Sequence, residues 1–162
     1  MTVLTTLLQV VALVVVVGGI AKLVRPHPFA ALLGSLGVPG GAATARAAGM
    51  VEVALGAAAV VTGARWAAAL LAAAYVVFAL TVVVAQRRGA VSCGCFGVVD
   101  APPSTLHVVV NLVSAGVAAA AAAVGSEPLR ATLAEQPAAG LPYLAAVGVA
   151  VYFVVRLDVR RP

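Results

Sequence analysis

The sequence predicts an all-α integral membrane protein, a helical bundle of about five transmembrane helices. Three observations carry this prediction. Of the 162 residues, 64% are hydrophobic and only 9% are charged, where soluble domains carry about 25% charged residues. Five stretches, near residues 3–22, 46–63, 66–86, 104–124 and 140–156, fall within the roughly 17–25 apolar residues that cross a bilayer as a helix. Most of the charges lie between or at the ends of those stretches. The length suits one transmembrane domain over residues 1–162 and leaves no room for a soluble one.

The first stretch has no charge before Lys22. It lacks a positive n-region, is long for a signal peptide, and its charges follow it, so it reads as a retained span. Pro26 to Gly41 is too short and too broken by Pro and Gly to span. Within it, Pro28 to Leu33 followed by Leu36 reads either as a short amphipathic helix at the interface or as an apolar loop. The second span lies between Arg46 and Arg65 and holds one charge, Glu52. The third is uncharged from Trp66 to Gln86. The fourth starts near Ser104, after Pro102-Pro103, and contains the alanine run Ala118 to Ala123. Small residues let membrane helices approach closely, so this helix is expected inside the bundle. The last stretch is uncharged from Gln136 to Val155, with Pro142 near its start. Trp66, Tyr143 and Tyr152 suit interfacial anchors, with Phe153 facing lipid.

Counting Lys and Arg gives the orientation. With the N-terminus outside and five spans, Lys22, Arg25, Arg46, Arg87, Arg88 and the three arginines at 156, 160 and 161 share one side. Arg65 and Arg130 occupy the other, and eight against two follows the positive-inside rule. Without a fifth span the tally is five against five. The count therefore places the C-terminus inside. The same scatter excludes nucleic-acid binding, since there is no basic face and no array of stacking aromatics. No Ser-His-Asp set, phosphate loop, paired carboxylates or four-ligand zinc spacing is present, and no cofactor is called for. His27, between two prolines, reads as a solvated loop residue.

Both cysteines of the chain lie in Cys93-Gly94-Cys95-Phe96-Gly97. One local bond closes too small a loop to staple a fold. A disulfide across one residue departs from relaxed geometry, and strain makes it easier to reduce. Gly94 removes side-chain bulk and tolerates the dihedrals such a ring needs. Strained, exposed disulfides tend to be the labile or catalytic ones. Arg87 and Arg88 lie shortly before the pair, and nearby positive charge favours the thiolate, which is the reactive form. The pair therefore reads as a redox site. A soft-metal site is the sharper alternative, because thiolates suit Cu(I) or Zn; two inert thiols in a glycine-rich turn are the plain one.

Glu52 is the second candidate. Gly49, Glu52 and Gly56 fall on one helix face, and a glycine-lined face marks helix contact, so Glu52 is expected to point inward. Ionisable groups inside a membrane are costly and face the bundle interior. Glu52 is then either a proton acceptor coupled to thiol chemistry or a structural anchor paired with Arg46 or His107. His107 and Asn111 are four residues apart and share a face. His107 is either a proton handler for the thiolate or a polar residue at a helix entrance, and Asn111, one turn deeper, is expected to meet a partner helix.

Taken together, the apolar first span, Leu36-Gly37-Val38-Pro39, Glu52 followed by Gly56, the Cys93-Gly94-Cys95-Phe96-Gly97 string and Asn111 resemble the methylamine-utilisation MauE family. Its layout is similar to that of DoxX-like membrane proteins. The resemblance covers roughly residues 1–125. It implies a four-helix DoxX-like core plus a C-terminal helix, in the bacterial cytoplasmic membrane. It also implies a thioredoxin-like partner and a role in disulfide formation or maturation of exported proteins. It carries over Cys93 and Cys95 as the redox pair, with Glu52 and Asn111 as matching polar positions. Where the family often has a basic residue shortly before the Asn, this chain has His107.

The resulting expectation is a membrane thiol–disulfide oxidoreductase or electron relay. Cys93 and Cys95 do the exchange, Glu52 and His107 handle protons, and Gly94, Phe96, Gly97 and Asn111 support them. The alternatives are a soft-metal-ion transporter or relay, and a non-catalytic assembly partner for a thioredoxin-like protein. The residues fix neither the partner nor the oligomeric state, a homo-oligomer included. Maturation of exported proteins happens outside, yet the charge count puts the cysteine loop on the cytoplasmic side, where thiols are kept reduced. Three resolutions stay open: electrons cross the bundle, the loop dips into it, or the orientation is reversed.

Overall fold

The computed structural model describes residues 3–90, 102–136 and 140–159, with side-chain environments as far as 155. All its regular elements are helices: α1 (Val3–Val24), α2 (His27–Ser35), α3 (Gly41–Thr62), α4 (Arg65–Arg87), α5 (Thr105–Val124), α6 (Leu129–Ala134) and α7 (Leu141–Val159). Four of them, α1, α3, α4 and α5, are long and apolar enough to cross a membrane, and α7 adds a shorter apolar stretch over Leu141–Val155. The protein is a helical membrane bundle. Its outer face carries the residues that lipid would cover: Val51 (66% exposed), Leu70 (53%), Leu80 (59%) and Val113 (62%). A helix apolar all round needs an apolar environment on every side.

The ends of the helices follow local chemistry. Pro26 and Pro28 bracket the start of α2. The residue before a proline is pushed out of helical conformation, which ends α1 close to Val24. Gly63 ends α3 in the left-handed conformation, at φ 61°, and its N–H donates to the Ala59 carbonyl at 3.1 Å. It also sits against the backbone of Ser126 to Pro128, where an added Cβ would lie 2.7 Å from the Ser126 oxygen. Only glycine meets both demands. Ser104 caps α5 in a capping box whose N3 residue is His107.

The helices pair as α1 with α3 and as α4 with α5. Both pairs are antiparallel. Gly19 meets Gly49 while Gly56 meets Ala12, and Arg65 reaches the Val124 carbonyl while Gln86 reaches that of Pro103. The expected glycine face of α3 is there, and it makes the closest backbone approach. A Cβ on Gly49 would lie 2.7 Å from the Gly19 oxygen, and one on Gly56 would lie 2.6 Å from the Ala12 oxygen. Small residues at such a contact are what lets membrane helices pack closely. A core of Leu8, Ala12, Leu71, Tyr75, Ala118 and Ala121 joins the two pairs. The alanine run of α5 is thus buried on one face only, since Ala119, Ala120 and Ala123 are exposed.

Several sequence expectations change. The segment after α1 does form a helix, α2, but it turns Leu32 into the protein, where it is 3% exposed. Tyr143 is not an interfacial anchor: it is 7% exposed, and its hydroxyl donates to Gln9 Oε1 at 2.7 Å. Gln9 Nε2 in turn donates to Thr132 Oγ1 at 3.2 Å. This buried relay ties α6 and α7 to α1. Helix α6 leaves no mark in the sequence, because six residues are too few to show a period. Trp66, Tyr152 and Phe153 are exposed, as expected.

Candidate functional site

Lys22 and Glu52 meet in the interior of the bundle. Each lies three residues beyond a glycine, Gly19 in α1 and Gly49 in α3, so each sits beside the close helix contact. Lys22 Nζ lies 2.7 Å from Glu52 Oε2, with the side chains 5% and 8% exposed. The ammonium also donates to the Gly18 carbonyl at 3.5 Å. Two aromatic rings flank it, Phe29 of α2 at 4.9 Å and Phe78 of α4 at 6.0 Å from the ring centroids. A cation over an aromatic face is attracted by the ring quadrupole. A buried ion pair recovers its desolvation cost only with good geometry and further polar contacts; here both are present.

The expected partner of Glu52 was Arg46 or His107. Arg46 is exposed on α3, and Lys22 takes the place. Lys22 is therefore no topology marker, and dropping it from the eight leaves seven against two. A sequence signal for it exists. Gly19 and Lys22 repeat the i, i+3 spacing of Gly49 and Glu52, and a charge one turn from the end of an apolar helix beside glycine faces a neighbouring helix.

The ion pair forms the polar spot in a cavity of about 350 Å³. Phe29 and Leu33 of α2 and Leu36 just after it wall one side, and Phe78 and Thr81 of α4 another. His107 and Asn111 of α5 complete it. The lining includes Val77, itself 57% exposed, so the cavity reaches the apolar exterior of the bundle. Glu52 Oε1 has no hydrogen-bond partner among the described residues. Tyr75, also on the wall, donates to the Val11 carbonyl at 2.7 Å and holds α4 on α1.

His107 is buried at 5% exposure. Its Nδ1 accepts from the Ser104 backbone N–H at 3.1 Å and lies 2.6 Å from Ser104 Oγ. A nitrogen that accepts leaves Nε2 to carry the hydrogen of the neutral ring. His107 thus has a capping role and a place on the cavity wall at once. Asn111 Nδ2 donates to the His107 carbonyl at 2.7 Å, within its own helix rather than to a partner helix.

Three of the sequence-predicted residues, Glu52, His107 and Asn111, therefore come together on one cavity. Cys93, Gly94, Cys95, Phe96 and Gly97 lie outside the described residues. The flanks of that segment are placed: Gln86 Nε2 donates to the Pro103 carbonyl at 3.3 Å, and the Arg88 guanidinium donates to the Ser35 carbonyl at 3.3 Å. Both contacts are at the end of the bundle that holds α2 and the cavity. Among the described residues no three His, Cys, Asp or Glu side chains gather as a metal site.

The family described as methylamine utilisation protein MauE matches residues 1–125. The chain belongs to the MauE family. The match takes in α1 to α5 and every residue of the cavity named above, while α6 and α7 lie beyond it. A multi-pass membrane protein is what the MauE match and the four long apolar helices together describe. No curated protein and no solved structure matches the chain.

Proposed function

We propose that this MauE protein is a membrane thiol–disulfide oxidoreductase or electron relay that acts through Cys93 and Cys95 on a thioredoxin-like partner. It would support disulfide formation in, or maturation of, exported proteins. A thiolate of the pair attacks the partner's disulfide, a mixed disulfide forms, and the second cysteine resolves it. In the oxidising direction the same steps run backwards, and the partner leaves with its disulfide. Glu52 and His107 accept and return the thiol protons; Gly94, Phe96, Gly97 and Asn111 shape the site.

One observation carries this reading. The segment with both cysteines leaves the described bundle at Ala90 and rejoins it at Pro102. Both points lie at the end where Lys22, Glu52 and His107 line the cavity. A dithiol needs proton acceptors within reach, and the buried carboxylate and imidazole are on that side.

The topology that accompanies the reading has five spans, α7 included, in the bacterial cytoplasmic membrane. The N-terminus is outside and the C-terminus inside. Even without Lys22 the positive residues stay on one side, seven against two.

Trapping tests it. A Cys93→Ser or Cys95→Ser variant, expressed with tagged partners, should accumulate a reducible mixed disulfide with a thioredoxin-like protein. Copper or zinc retained at one ion per protein, with no trapped adduct, would instead assign the pair to metal transfer.

A further inference from the structure

We infer that the cavity beside Lys22 and Glu52 binds the ring of a membrane quinone, which takes the electrons of the Cys93/Cys95 dithiol. The inference rests on the thiol reading above and names its electron acceptor. Four features of the cavity select this ligand. Its volume, about 350 Å³, falls at the low end of the roughly 300–1,000 Å³ of small-molecule pockets. Its lining reaches the lipid-facing exterior at Val77, which admits a ligand dissolved in the bilayer and lets an apolar tail stay there.

The polar spot sets the charge of the ligand. Lys22 and Glu52 form a pair at 2.7 Å, so their sum is neutral and a phosphate or carboxylate head group gains no counter-charge. A neutral ring does better. The Lys22 ammonium donates to a quinone carbonyl. Glu52 Oε1, with no partner among the described residues, accepts from a quinol hydroxyl. One pair thus serves both oxidation states, and Phe29 and Phe78, whose ring centroids lie 4.9 and 6.0 Å from the ammonium and which both line the cavity, offer aromatic contact to a planar ring.

The step balances. The two S–H bonds of the dithiol break and one S–S bond forms, releasing two electrons and two protons. The quinone takes both, and its two carbonyl oxygens become hydroxyls. Glu52 and His107 pass the protons. Oxidising a dithiol to a disulfide takes a two-electron acceptor, and a quinone reduced to its quinol takes two electrons and two protons.

The test uses the full chain in nanodiscs and decyl-ubiquinone as the probe. The native protein and the Cys93→Ser/Cys95→Ser double variant should bind it with the same affinity. Ala48→Leu and Thr81→Leu, both on the cavity wall, which narrow the cavity and keep Lys22 and Glu52 themselves, should bind about tenfold more weakly at an unchanged melting temperature. The reduced native protein should form one quinol per disulfide. Absence of saturable binding to the double variant overturns the quinone site and leaves exchange with a protein partner standing. So does binding that Ala48→Leu and Thr81→Leu leave unchanged, or equal displacement by oleate. Quinone binding without quinol formation, by a pair that still exchanges with a protein partner, overturns the electron route.

Discussion

Lys22 Nζ sits 2.7 Å from Glu52 Oε2, beside the close contact of Gly19 in α1 with Gly49 in α3. A glycine three residues before each makes room for the pair. The same contact thus fixes the helix packing, buries two charges and opens the cavity beneath α2. Removing one charge leaves the other buried and unpaired, at a cost of about 3–5 kcal/mol. Lys22→Met and Glu52→Leu should each lower the melting temperature in detergent strongly. The double variant should recover most of the loss, because an apolar pair of similar volume replaces an ion pair at little cost. A double variant as unstable as the sum of the two singles would show that the residues do not act as a pair.

The glycine contact gives a second expectation, with a sign that runs against helix propensity. Ala is worth about 1 kcal/mol over Gly in a helix interior. At Gly49 and Gly56 the added Cβ would meet backbone oxygens at 2.7 and 2.6 Å, so Gly49→Ala and Gly56→Ala should destabilise. At Gly116 and Gly148 nothing lies within 4 Å, so the same change should be neutral or stabilising. Thermal unfolding of the four variants checks the contrast, and equal effects at all four would contradict the packing.

The Gln9 relay predicts how the C-terminal helix is held. Tyr143→Phe removes the hydroxyl that donates to Gln9 Oε1, leaving a buried acceptor short of a partner at a cost of about 1–3 kcal/mol. Gln9→Leu should do the same to Tyr143 and Thr132 together. Limited proteolysis should then cut the chain between α6 and α7 faster than in the native protein while α1 to α5 stay intact. Uniform sensitivity along the chain would mean that α7 is not docked through this relay.

His107 offers a way to separate structure from chemistry. Gln is a standard N3 residue of a capping box, so His107→Gln should keep the cap, whereas His107→Ala should cost about 1 kcal/mol. Glutamine cannot pick up a proton near neutral pH. If His107 handles protons for the thiol pair, His107→Gln keeps its melting temperature but slows thiol exchange. Unchanged exchange in His107→Gln would reduce His107 to its capping role.

Much of this was legible in the sequence, and the exceptions have physical reasons. The four long spans announce themselves because a bilayer demands about 20 apolar residues in a row. The helices around two of them run Arg65–Arg87 and Thr105–Val124, while α3 begins at Gly41, where a glycine-rich start hides a helix N-terminus. Glu52, Gly49 and Gly56 were readable as one inward face because a helix period places them so. The partner was not, because pairing depends on which helices touch. Lys22 resembled any charge at a membrane surface until α3 was set against α1. Tyr143 fitted an aromatic anchor by residue type alone, and only its contact with Gln9, 134 residues away, turns it inward.

Orientation has its own check. With the N-terminus outside, Cys93 and Cys95 lie on the cytoplasmic side. A membrane-impermeant maleimide applied to intact spheroplasts should then leave them unlabelled until the cells are permeabilised. Labelling of intact spheroplasts would reverse the topology and place the pair beside exported proteins.

In the proposed function Cys93 and Cys95 cycle between dithiol and disulfide. Equilibrating the purified protein in glutathione and dithiothreitol buffers of known potential, then alkylating and weighing it, tests this directly. A cycling pair should show a single two-electron transition, with both thiols blocked together, at a potential above the roughly −300 mV below which structural disulfides lie. Two thiols that alkylate independently at every potential would contradict it, as would a bond that stays closed throughout.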